Sequence, residues 1–271
     1  MQSKFFALLG GAILSLGFVN AASAADMAVK ARPMVAPPQI FSWTGMYVGA
    51  HAGYGWDRAS WTTTDHSAGN LERNVQDGSG WLAGGQLGAR WQNGAMVFGL
   101  EGAGSFADIK GTQAACGVGV GPLPCTAPLV TVAAPFLESR TTDIRNLYSL
   151  TGQLGYAWNR TLLYVKGGFA GGEMRLTNSL TNAGANACLV ANAFPSCASS
   201  TRQAWGGTVG AGIEYAVTDN FSLGAEYAYY RLTTDPVTVV SSTGLASTFG
   251  GATADVHTVV GRANFKFWSF R

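Results

Sequence analysis

The chain has 271 residues, and glycine supplies 37 of them, about twice the usual share. Only 12% are charged, roughly half the soluble norm, while 47% are apolar. This excludes a disordered chain, which needs high charge and low hydrophobicity. It excludes collagen, because the glycines follow no three-residue period. The net charge of +2, from 17 basic and 15 acidic residues, offers no footprint for nucleic acid.

The first segment reads as an export address. Lys4 precedes an apolar run, Phe5–Val19, which is too short to span a bilayer as a helix, and Ala22-Ser-Ala24 meets the small-x-small cleavage rule. The expected organisation is a signal peptide over 1–24, a periplasmic lead-in over 25–41 containing Pro33, Pro37 and Pro38, and a single barrel domain over 42–271. Export permits cysteine oxidation.

From Phe41 onward the chain repeats one pattern. Eight runs alternate with a period of two: Trp43–Trp56, Gly80–Trp91, Met96–Asp108, Ile144–Trp158, Leu162–Met174, Trp205–Val217, Phe221–Arg231 and Asp255–Phe267. Short separators carry turn chemistry, as in Asn93-Gly94, Asn159-Arg160 and Thr218-Asp219-Asn220. Long separators begin at Asp57, Ile109, Arg175 and Leu232. Short turns at one end and long loops at the other define an up-and-down meander of the outer-membrane kind.

Sorting odd from even positions separates two faces. One carries Val48, Trp81, Leu87, Phe98, Leu150, Leu154, Val165, Val209, Leu223, Tyr227, Val259 and Phe265. Its ends are rimmed by aromatics: Trp43 and Trp56, Trp81 and Trp91, Tyr156 and Trp158, Trp205 and Tyr215. Such girdles mark the two interfaces of a membrane barrel. Ten residues tilted at about 45° cross the hydrocarbon layer. In lipid an open sheet edge leaves backbone groups unpaired at several kcal/mol each, so the sheet closes. The expected fold is all-β: an eight-stranded antiparallel up-and-down transmembrane barrel with short periplasmic turns and long extracellular loops. Asp108, Glu173 and Arg231 break the phase rule at strand ends, where a side chain reaches the rim.

The other face carries His51, Gln86, Thr151, Gln153, Thr208, Asn264, many glycines, and eight charges expected to form a lumen network: Arg90, Glu101, Arg145, Lys166, Glu214, Glu226, Arg262 and Lys266. A buried charge without a partner is expensive, so ion pairs filling the lumen are expected.

The run Phe41-Ser-Trp-Thr-Gly-Met-Tyr-Val-Gly-Ala-His-Ala-Gly-Tyr-Gly-Trp56 closely resembles the first strand of the 25/31-kilodalton outer-membrane proteins of Gram-negative bacteria, also called porin-family barrels. Phe98-Gly-Leu-Glu-Gly102, Leu163-Tyr-Val-Lys-Gly-Gly-Phe-Ala170 and Val209-Gly-Ala-Gly-Ile-Glu-Tyr-Ala216 agree with it. The resemblance covers the whole mature chain. It implies an OmpA-like barrel in the outer membrane, with roles in envelope integrity and surface exposure, and haemin binding credited to some members. One departure is the end: Phe267 is followed by Trp268-Ser-Phe-Arg271, so either the last strand extends or a short tail enters the periplasm.

Four cysteines fall in two long loops, Cys116 and Cys125, then Cys188 and Cys197. Local disulfides within each loop are the first reading; cross-loop pairing and free thiols stand as alternatives, and the spacing lacks the tight pairs of a zinc site. His51 reads as a lumen residue, His66 as a solvated loop residue able to meet an iron porphyrin, and His257 opens the last strand. No catalytic constellation or cofactor motif is evident. The expectation is a non-enzymatic structural barrel, with a narrow diffusion pore or ligand-binding loops as alternatives. Its expected partners are outer-membrane lipid and lipopolysaccharide, with the barrel-assembly machinery during insertion, as a monomer or weak homo-oligomer.

Overall fold

The computed structural model describes residues 41–64, 71–117, 122–123, 136–182, 185–186, 198–240, 246–249 and 251–269. The expected signal peptide, almost all of the lead-in, His66, Cys125, Cys188, Cys197 and the Cys116 side chain lie outside them.

Eight long strands form the wall: β1 (Gly45–Thr64), β2 (Leu71–Asn93), β3 (Met96–Gly117), β5 (Phe136–Trp158), β6 (Thr161–Asn182), β8 (Ala198–Ala216), β9 (Phe221–Thr233) and β12 (Thr253–Trp268). Four short strands decorate the long-loop end: β4 (Pro122–Leu123), β7 (Ala185–Asn186), β10 (Val237–Val240) and β11 (Ala246–Phe249). Each long strand pairs antiparallel with the next, and β1 pairs with both β2 and β12. That last pairing closes the sheet.

The short turns form as their residues dictate. Gly94 and Asn159 take positive φ, 61° and 52°, which glycine adopts freely and asparagine tolerates. At the other end the strands outrun the periodic segments. β1 continues to Thr64, β3 to Gly117 and β6 to Asn182, so much of what reads as loop from Asp57, Ile109 and Arg175 is strand. Above the lipid the backbone ladder goes on, but nothing there demands an apolar side chain at every second position.

The lipid-facing phase lies outside. Leu87, Phe98, Leu150, Val165, Val209 and Phe265 are each about half exposed, whereas the alternate residues are buried. The phase changes once. β5 carries a bulge at Arg145, between Ile144 paired to Met174 and Asn146 paired to Glu173. A bulge adds one residue and turns the following side chains over. Ile144 is therefore buried and Arg145 exposed, on the outer face beside Asp143.

The interior has three tiers. Near the short turns, Trp43, Val97, Leu162 and Ala216 pack together. A polar layer follows. Toward the long loops lies an apolar core that includes Leu82, Ile109, Ile144, Leu147, Met174, Leu232 and Val256. Simple alternation assigns the whole interior to polar residues; the apolar tier is built from aliphatic residues and Met174 in the inward phase, joined by Ile144, which the bulge turns in.

Candidate functional site: the lumen charge network

The polar layer is held by side chains from all eight wall strands. Arg90 of β2 meets Glu214 of β8 in a bidentate pair, Nη2 to Oε2 at 2.8 Å and Nη1 to Oε1 at 3.1 Å. Both side chains are almost fully buried. Planar guanidinium suits this two-point contact. Arg90 Nε also donates to Gln153, and its guanidinium lies 4.3 Å above the Tyr47 ring. Glu214 accepts further bonds from Asn264 and Ser222.

Glu101 of β3 and Glu226 of β9 share two cations. Lys166 of β6 donates to Glu101 Oε1 at 3.1 Å and approaches Glu226 Oε1 at 2.6 Å. Arg262 of β12 spans the same two carboxylates with its two terminal nitrogens. Tyr47 donates its hydroxyl to Glu101 at 2.7 Å, and Tyr164 donates to Glu226 at 2.7 Å. The buried layer holds three cations and three carboxylates, so it is electrically neutral. Buried charge is tolerable on those terms: every ion of the layer meets an opposite charge, although Arg262 Nε has no hydrogen-bond partner among the described residues.

A second chain of contacts joins His51 to Gln86 at 2.6 Å and to Ser105 at 2.7 Å, and Gln86 to Asn264 at 2.7 Å. His51 is thus a hydrogen-bonded lumen residue.

Interior glycines make room for the two tyrosines. Tyr47 is paired in register with Gly88, and Tyr164 with Gly212. A Cβ at either glycine would stand 2.5 Å from the ring carbon bearing the hydroxyl. Each ring lies flat across a glycine of the neighbouring strand, which carries its hydroxyl to the carboxylate beyond.

Of the eight expected network residues, Arg90, Glu101, Lys166, Glu214, Glu226 and Arg262 come together in this layer. Arg145 does not: the bulge in β5 turns it to the outer face. Lys266 stands at the short-turn mouth, where Nζ donates to the Ser42 carbonyl at 2.7 Å and lies 4.6 Å from the Phe41 ring centroid. Tyr47, Tyr164 and the apolar tiers were not foreseen as lumen partners. For the tyrosines the signal was present: both fall in the phase opposite Val48 and Val165 and face glycines.

Trp43 also departs from its expected place. It is 4% exposed and lies under the charge layer, not in the lipid girdle. The φ of Gly45, +146°, favours glycine, and a Cβ there would stand 2.1 Å from the Trp268 carbonyl oxygen. The Trp43 backbone N–H donates to Gln92 at 2.7 Å, and Thr44 Oγ1 accepts the Gln92 N–H at 2.9 Å. Together with the Lys266–Ser42 bond, these contacts tie residues 42–44 to both β2 and β12, the neighbours of β1 at the closing seam.

A closed eight-stranded sheet, apolar outside and ionic within, with girdles of tryptophan and tyrosine, defines an outer-membrane β-barrel. The model of the outer membrane protein beta-barrel domain matches residues 12–267, and the chain belongs to that family. A 31 kDa outer-membrane immunogenic protein of Brucella melitensis is 30% identical over 260 residues, covering 92% of this chain and 95% of the relative. A 25 kDa outer-membrane immunogenic protein of Brucella ovis is 28% identical over 217 residues, covering 79% and 83%. Among solved structures, the attachment invasion locus protein Ail of Yersinia pestis is similar at 16% identity and a TM-score of 0.35, covering 83% of this chain and 99% of that one. The outer membrane is the protein's location.

Proposed function

We propose that the protein is a structural element of the outer membrane, contributing to envelope integrity and presenting its long loops at the cell surface, with a lumen closed to solutes and no enzymatic role. The observation that carries this reading is the neutral, ion-paired layer crossing the lumen between two apolar tiers. Eight strands enclose an interior just wide enough for side chains to fill. Among the described residues, two cavities against the layer, one lined by Arg90 and Glu214 and the other by Glu101 and Arg262, measure about 20 and 10 Å³, room for single waters rather than for a file of hydrated solutes. The same reading includes cleavage after Ala24, local disulfides within the cysteine-bearing loops, and insertion of a monomer by the assembly machinery. Intact-mass measurement of the exported protein, with and without reductant, tests the first two. Planar-bilayer recording of refolded monomer tests closure. The expected result is absence of stable openings, and large stable openings refute it in favour of a diffusion pore. Titration with haemin tests the loops, and a shifted Soret band assigns them a ligand.

A further inference from the structure

Residues 41–44 are part of no strand, yet the closed wall holds them across the short-turn mouth. One end of this strap is fixed at the seam. Trp43 N–H donates to the Gln92 side chain of β2, and Thr44 Oγ1 accepts the Gln92 N–H. From β12, Lys266 Nζ donates to the Ser42 carbonyl at 2.7 Å, and just beyond β12 Ser269 Oγ donates to the Thr44 carbonyl at 3.4 Å. The other end reaches the far wall. The Phe41 ring centroid lies 5.5 Å from the Arg160 guanidinium, in the turn between β5 and β6, and 4.6 Å from Lys266 Nζ, so two cations hold one ring. Trp43 stands edge-on to Phe41 at 5.0 Å and packs with Val97 of β3, Leu162 of β6 and Ala216 of β8.

The end of the last strand receives the strap. β12 runs past Phe267 with a shift of register: Tyr47 pairs with Lys266 and Met46 with Trp268, so Phe267 is the extra residue of a bulge. Phe267 and Trp268 are then both exposed, while Lys266 keeps its place at the mouth. The turn between β8 and β9 fixes that place: Lys266 N–H donates to the Asn220 carbonyl at 2.7 Å, and Asn220 Nδ2 donates to the Lys266 carbonyl at 2.8 Å. The Gln92 contacts can form in the first hairpin, but the others need the closed sheet. Ser42 and Lys266 are 224 residues apart, on the two sides of the seam. The turn that carries Arg160 lies opposite the seam, with four wall strands on either side between them.

We propose that residues 41–44 are a latch, which docks after β1 has met β12 and sets how slowly the barrel reopens. Until they pair, β1 and β12 are the two free edges of the sheet, and the strap has nothing to bridge. Once they are paired, parting them also separates Lys266 from Ser42 and draws Phe41 from between its two cations. The latch contacts are absent from the transition state for closure, and contacts of that kind slow unfolding without speeding folding. Persistence in the membrane is then governed by an opening rate. The proposal rests on the strand registers and not on closure of the lumen to solutes.

The test measures two rates in phosphatidylcholine vesicles, unfolding in urea and refolding on dilution, each followed by the mobility of the unboiled form. Phe41→Ala and Lys266→Gln are each expected to raise the unfolding rate about tenfold and to leave the refolding rate within about twofold of the unmodified chain. The double variant is expected to gain less than the product of the two increases, because both changes undo the same clamp. Refolding slowed by as much as unfolding is hastened puts the strap in the closing step and overturns the proposal. Unfolding rates within about twofold of the unmodified chain in both variants also overturn it. A variant that cannot close at all counts against it in the same way, since a latch that docks last is not needed for closure.

Discussion

Replacing Arg90 by methionine isolates one half of the lumen network. Glu214 then keeps its bonds from Ser222 and Asn264 but loses its only cation, inside a layer where it is about 1% exposed. Breaking a buried pair from one side costs about 3–5 kcal/mol, because the surviving charge is left uncompensated. Glu214→Gln is expected near the lower end, about 3 kcal/mol, since Arg90 keeps the Tyr47 ring at 4.3 Å and the Gln153 amide oxygen. The double variant Arg90→Met/Glu214→Gln restores neutrality. It is expected to be more stable than additivity allows by at least about 1.5 kcal/mol. The assay is urea unfolding in lipid vesicles, followed by tryptophan fluorescence and by mobility of the unboiled form. Two single losses that add within about 0.5 kcal/mol refute a mutually compensating pair.

Two further outcomes follow from the same geometry. Trp43→Ala removes the buried ring of the lower tier and is expected to cost about 3 kcal/mol in urea unfolding, yet to leave bilayers silent because the charge layer above is untouched; openings in that variant would make Trp43 the barrier. Asp57 lies inside the wall beyond the Trp56 girdle, and burial, followed by the nearby Asp77 carboxylate, pushes its pKa up to about 7. With the folded pKa raised, the contribution of Asp57 itself to stability is fully present below pH 4, falls as pH rises, and is gone above about 7. Asp57→Asn is expected to flatten that slope and to stabilise the barrel at pH 8, and an unchanged pH profile counts against the assignment.

The alternation in the sequence contained the wall. Contact with lipid forces an apolar residue at every second position, so Val48, Leu87 and Val165 declare the outer face without reference to any partner. The girdles and tight turns are equally local, since Gly94 and Asn159 carry their turns in their own backbone freedom. Departures from alternation are not local. Arg145 left the lumen because β5 gained one residue against β6, and a bulge has no signature in the pattern of side chains. Trp43 is no such departure: it shares the odd parity of Tyr47, so alternation itself turns it inward, and Gln92 holds its backbone there. Arg231 reads in the sequence only as an exception at a strand end, until the registers set it opposite Asp255, and Asp255 opposite Arg58.

Sequence alone determined that this chain closes into a lipid-facing barrel with charges inside, because solvent on each face is a property of single residues and their parity. Only the tertiary structure decided which charge meets which. Arg262 reaches Glu101 across 161 residues and Arg90 reaches Glu214 across 124, distances along the chain that collapse only when the sheet closes and its registers bring the strands to one level.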